Sequence, residues 1–139
     1  MKRVLVDTGP LVAILSRNDE YHDSCLAALR SISGPLFSCW PVITEAAWLL
    51  RADQRAVQQL LRSVSEGFPV LLPLRESEAG KIAEVMRKYE SLQPQLADAT
   101  LVYLAQRESI DTIFTLDRRD FSVYRGPKSR RFQILPEVF

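Results

Sequence analysis

The chain has 139 residues, of which 47% are hydrophobic and 25% charged, with a formal net charge of +1. That length suits one compact domain with a single substantial core, and the mix is that of an ordinary soluble globular protein. No stretch approaches the roughly 20 apolar residues of a membrane span, which excludes a spanning protein, while the net charge argues neither for nor against a polyanionic partner.

Behind Met1-Lys2-Arg3, the run Val4-Leu5-Val6 reads as a short buried strand ending in the turn-prone Thr8-Gly9-Pro10. Its interruption at Asp7 makes it too short for a signal sequence. A helix begins over Leu11 to Leu15. The stretch Glu20 to Ile32 is helical in pattern, with Cys25, Leu26, Leu29 and Ile32 near one face, and Ser33-Gly34-Pro35 stops it. Leu36 to Cys39 is the second strand. Pro41 suits the first turn of a helix that runs to about Arg51, and Asp53 caps a short helix covering Val57, Leu60 and Leu61.

Pro69 to Leu72 is the third strand. Glu76 to Tyr89 is helical, with Ile82, Val85, Met86 and Tyr89 spaced for burial. Pro94 opens a helix that carries Asp98, Leu101, Val102, Leu104 and Ala105. Thr112 to Leu116 is the fourth strand and Phe132 to Leu135 the fifth. Short apolar strands alternating with helices predict an α/β fold with a mainly parallel sheet, in one domain over residues 1–139. Cys25 and Cys39 have no CxxC spacing; with no secretory leader, they predict reduced thiols in a cytoplasm.

Four acids stand where apolar or strand-end residues are expected. Asp7 follows the first strand and Asp117 the fourth, so both belong on one sheet edge if those strands are parallel neighbours. Asp98 sits in a first helical turn with Leu101 and Val102 at i+3 and i+4. Glu45 has Val42 at i−3, Trp48 at i+3 and Leu49 at i+4, which places it on an apolar face. Each acid alone has an ordinary reading. Asp7 is suited to a turn or cap, Asp98 to the helix dipole, and Asp117 to an ion pair with the arginines that follow it. Glu45 is the hardest to explain that way. Helix capping more naturally accounts for Asp53 and Asp19. Brought together, four carboxylates would bind a hard divalent cation through oxygen, and such a cation over a phosphodiester is nuclease chemistry.

The order of these motifs resembles the PIN-domain family, and within it the VapC toxins of bacterial toxin–antitoxin pairs. The segments that carry the resemblance are Val4 to Ala13, Tyr21 to Leu29, Thr44-Glu45, Leu96-Ala97-Asp98-Ala99 and Thr115-Leu116-Asp117-Arg118-Arg119-Asp120-Phe121. It covers essentially the whole chain. It implies a PIN-like three-layer domain, with a central sheet of about five strands flanked by helices, and RNA cleavage dependent on magnesium or manganese. Asp7, Glu45 and Asp98 match the family's core acids and Asp117 its more variable fourth, with Asp120 able to share or replace the role of Asp117. Thr8 and Thr115 match supporting hydroxyls. The resemblance also implies a homodimer and a small antitoxin whose C-terminal segment covers the acidic cleft.

The last 23 residues carry Arg118, Arg119, Arg125, Lys128, Arg130 and Arg131 against Asp117, Asp120 and Glu137. Arg125, Lys128, Arg130 and Arg131 are the candidate RNA contacts; a solvated loop is the ordinary alternative. His22, the only histidine, is expected to be structural, and Trp40 and Trp48 to lie in the core or a dimer interface. Asp7-Thr8-Gly9-Pro10 lacks the glycines and lysine of a P-loop. The competing functions are an RNA-processing nuclease of the same fold without an antitoxin, a catalytically silent RNA- or protein-binding module, and a phosphatase or phosphoryl acceptor using Asp7. Gly9 stands where a haloacid-dehalogenase-type site would want its second acid.

Overall fold

Strands of two or three residues alternate with longer helices along the chain, and that alternation sets the architecture. In the computed structural model, which describes residues 2–137, the strands are β1 (Val4–Val6), β2 (Leu36–Ser38), β3 (Val70–Leu71), β4 (Thr112–Phe114) and β5 (Gln133–Leu135). They form one sheet in the order β3-β2-β1-β4-β5, and every pairing between these strands is parallel. The register sets Leu5 beside Ile113 and Val6 beside Phe114. β1 and β4 are buried along their full length, as expected for parallel strands covered on both faces.

Seven helices flank the sheet among the described residues. They are α1 (Thr8–Leu15), α2 (His22–Ser31), α3 (Trp40–Leu49), α4 (Gln54–Ser65), α5 (Ala79–Lys88), α6 (Leu96–Glu108) and α7 (Arg118–Phe121). α1 packs on α2 and α3, α3 also on α4 and α6, and α5 on α6. α6 is the most deeply set, with every residue from Ala99 to Ala105 buried. Among the described residues no helix is long and apolar enough to cross a membrane.

Two segments depart from the expected elements. Thr8-Gly9-Pro10 is not a turn but the first turn of α1. Proline is tolerated there because a helix's first N–H groups have no intrahelical acceptor to lose. α7, four residues long, was not expected; one turn carries no readable periodicity, and it forms because Asp117 accepts from the Asp120 N–H. Gly34 does more than end α2. A Cβ there would stand 1.7 Å from the Lys2 carbonyl oxygen, so only glycine lets the chain cross the start of β1.

The order β3-β2-β1-β4-β5 reverses direction between β1 and β4. In open α/β sheets the crevice at the carboxyl ends of the strands flanking such a reversal is where ligands bind. Asp7 leaves β1 and Thr115 leaves β4 at that point.

Candidate active site

Asp7 is buried and anchored from two directions. Its Oδ1 accepts from the Thr8 N–H at 2.8 Å and its Oδ2 from the Thr115 hydroxyl at 2.7 Å. Burial raises its carboxyl to about 6, against those two bonds, and the charges of Glu45 and Asp117 push the same way. The Thr8 hydroxyl donates to Glu45 Oε1 at 2.5 Å, tying α3 to the start of α1. Asp98 Oδ2 accepts from the Gln95 N–H at 3.2 Å. Its carboxyl is raised to about 7, first by desolvation and then by the charges of Asp7, Glu45 and Asp117. Asp117 is fixed by its bond to the Asp120 N–H and by a 3.0 Å bond from its own N–H to Thr115 Oγ1.

The structure therefore brings Asp7, Glu45, Asp98 and Asp117 within electrostatic reach of one another at the β1–β4 crevice. Asp7, Thr8, Glu45 and Asp117 line one cleft of about 460 Å³, with Gly9, Leu49 and Leu116. Three of the four acids also serve as helix-start acceptors, Asp7 for α1, Asp98 for α6 and Asp117 for α7. Capping and clustering are not alternatives here, since the caps are what hold these carboxylates in place. Asp53 caps α4 as expected, whereas Asp19 accepts from Tyr21 N–H in the turn before α2. Asp120 lies beside Asp117, and its carboxyl is raised by desolvation and by the Asp117 charge.

These side chains fit a hard divalent cation. Every donor is oxygen, and each carboxylate has part of its acceptor capacity occupied by the framework and part left free. Among the described residues no group of three or more acids is placed to hold one ion together. A cation such as magnesium, which keeps several waters, needs only one or two carboxylates directly.

Other expected residues are placed differently. Trp40 and Trp48 are 58% and 61% exposed, which corrects the core reading of both. With Pro41, Thr44, Glu45 and Leu96 they line a groove of about 500 Å³, and Glu45 borders this groove as well as the acid cleft. Of the apolar neighbours of Glu45, Val42 is buried while Trp48 and Leu49 are exposed, so Glu45 sits where the core face meets the surface. His22 Nδ1 pairs with the Ala13 carbonyl at 2.7 Å, a local link between α1 and α2.

Arg125 is committed internally, its guanidinium donating to the carbonyls of Ser122, Val123 and Tyr124. Lys128, Arg130 and Arg131 are exposed. Their loop enters β5 at Gln133, beside Thr112 at the start of β4, so it approaches the sheet edge opposite the acids. Tyr124 is a buried polar residue that spacing did not single out. The charges of Asp98, Asp120, Asp117 and Asp7 all act on its hydroxyl.

A five-stranded parallel α/β sheet with acids gathered at its switch point defines the class of α/β domains that build their site at the strands' carboxyl ends. The chain belongs to the PIN-domain family, whose model matches residues 4–127. It is 30% identical over 135 residues to the ribonuclease VapC26 of Mycobacterium tuberculosis, covering 96% of this chain and all of that protein. Its fold is similar to the crystal structure of VapC20 from Mycobacterium tuberculosis, described as a sarcin-ricin loop cleaving toxin. That match has a TM-score of 0.73 at 15% identity and covers 79% of this chain and 86% of the other.

Proposed function

We propose that this protein is a metal-dependent endoribonuclease, the toxin of a VapBC-type toxin–antitoxin pair, acting in the cytoplasm. The observation that carries this reading is the placement of Asp7, Glu45 and Asp117 on one cleft at the strand ends, with Asp98 in the first turn of α6 near enough to feel their charges. Asp7 and Asp98 would hold a magnesium or manganese ion, with Glu45 and Asp117 orienting water or a second ion. When bound, such a cation polarises the scissile phosphate and lowers the pKa of an attacking water. Thr8 and Thr115 keep Glu45 and Asp7 turned to the crevice through their hydroxyl bonds. Asp120 supports Asp117 from the next turn. Lys128, Arg130 and Arg131 act as remote, sequence-independent phosphate contacts, and Arg125 shapes their loop.

The exposed Trp40, Trp48 and Leu96 beside the acids supply an apolar face for a second copy of the chain. An antitoxin segment ending in a basic side chain would complement the carboxylates.

The test is sequencing of RNA ends after brief expression of the protein and of Asp98→Asn, followed by cleavage assays of both purified proteins with manganese and with chelator. Discrete new ends that need the cation and vanish in Asp98→Asn support the reading. Equal ends from both proteins overturn it. Co-purification with the product of a neighbouring short reading frame separates the toxin from a nuclease that works without a partner.

A further inference from the structure

Tyr124 is fully buried, and its hydroxyl oxygen is the one buried side-chain polar atom among the described residues with no hydrogen-bond partner. The ring cannot swing to find one. It is held edge-on against Tyr89 and Phe121, each at 5.0 Å between centroids. The backbone is held too, with Tyr124 N–H donating to the Asp120 carbonyl and Arg125 N–H to the Tyr89 hydroxyl, both at 3.0 Å. This segment follows directly from Asp117 and α7, and the turn after it packs along α6, the helix whose first turn carries Asp98.

Buried hydroxyls are almost always satisfied, and an orphan in a packed core marks a group or a water that belongs there. Four carboxylates lie within electrostatic reach of this hydroxyl. Asp98 contributes the largest charge effect on it, followed by Asp120, Asp117 and Asp7, and with burial they keep the phenol protonated. Toward an ionised carboxylate a protonated phenol donates. Asp98 Oδ2 already accepts from the Gln95 N–H, which leaves the greater free acceptor capacity on Oδ1.

We infer that Tyr124 is a positioning residue of the acid site, its hydroxyl donating through one ordered water to Asp98 Oδ1 and so fixing how that carboxylate faces the cation. This rests on the cation-site reading given above. The bond acts through Asp98 and takes no part in proton transfer. Metal ligands are commonly oriented by such outer hydrogen bonds.

The experiment is titration of the purified protein with Mn2+ alone, by calorimetry, for wild type, Tyr124→Phe, Asp98→Asn and the double variant, with thermal melts in chelator. Tyr124→Phe removes one oxygen and leaves the ring packing. It is expected to melt close to the wild type in chelator, because the ring packing is kept and only a water-mediated bond is lost, yet to bind Mn2+ about 10- to 100-fold more weakly. In the Asp98→Asn background the Phe change should have no further effect. Wild-type Mn2+ affinity in Tyr124→Phe, or a full additive loss in the double variant, overturns the inference while leaving the cation site standing. A wild type that binds no Mn2+ overturns both.

Discussion

The Thr115 hydroxyl meets Asp7 Oδ2 at 2.7 Å, a bond between the residue after β4 and the residue after β1. It spans the reversal in strand order and helps keep a buried carboxylate ionisable. Thr115→Val should therefore move the acid limb of cleavage to higher pH. A shift of one unit corresponds to about tenfold less activity on that limb, with little change at alkaline pH. A pH–rate profile checks this; an unchanged limb would mean that Asp7 ionisation does not depend on Thr115.

Asp7 and Asp98 also make stability depend on pH. Both carboxyls are raised in the folded chain, to about 6 and about 7 from 3.8. The native state then holds protons that the unfolded chain has released. Their contribution is fully present below pH 3.8 and is lost as pH rises through 6 to 7. Glu78 runs the other way, lowered to about 2 from 4.5 chiefly by the Tyr103 hydroxyl, and matters only below that window. In chelator the melting temperature should fall between about pH 5 and 7.5, and saturating manganese should remove the fall. At a hundredfold excess over its dissociation constant, a ligand of the native state adds about 2.7 kcal/mol. Melts at several pH values, with and without manganese, decide the matter.

Asp98 has two roles that two substitutions separate. Asn keeps an acceptor for the Gln95 N–H and removes a repelling charge. Asp98→Asn should thus melt at or above the wild type without metal and respond less to manganese. Alanine loses the acceptor as well and should cost about 1 kcal/mol relative to Asn. Both should fail to cleave RNA. Melting in chelator ranks the three proteins, and Asn less stable than wild type with an undiminished manganese response would make Asp98 purely structural.

Arg130→Gln with Arg131→Gln should flatten the salt dependence of RNA binding by roughly 0.7 log units of slope per lost single-strand contact. Because their loop meets the sheet at the edge opposite the acids, cleavage at saturating RNA should be unchanged. Filter binding at several salt concentrations tests the first point; an unaltered slope assigns the loop to solvent.

Trp48→Ser should shift a dimer toward monomer, since it withdraws the largest exposed apolar side chain beside the acids. Arg51 lies 3.9 Å over the Trp48 ring and covers only part of it. Light scattering across a concentration series reads the mass directly. An unchanged mass would exclude the Trp48 face as the contact between copies.

Much of this architecture is legible from residue order. The runs at Val4 to Val6 and Thr112 to Phe114 are apolar throughout because both faces of those strands are covered, and each is followed by the acid or hydroxyl that builds the crevice. The departures have physical causes. Gly9-Pro10 reads as a break, yet a helix's first turn tolerates both. Trp40 and Trp48 share the 3.6-residue period of a core face, and periodicity cannot say whether another element covers that face. Tyr124 reads as one more apolar residue near Phe121; only the placement of its hydroxyl sets it apart. Arg125 reads as surface charge, but its guanidinium closes the end of the turn after α7.

Among the described residues no ion pair reaches Asp7, Glu45, Asp98 or Asp117; the two that form join Arg107 to Glu78 and Glu108. Hydroxyls and backbone N–H groups hold the acids, and these supply direction without neutralising charge. The crevice is therefore a socket that these bonds shape without neutralising. A metal ion that admits a phosphate and a basic side chain that excludes it would compete for the same ground. Whether the chain is armed or silent would then be decided by which of the two binds that edge more tightly at its prevailing concentration.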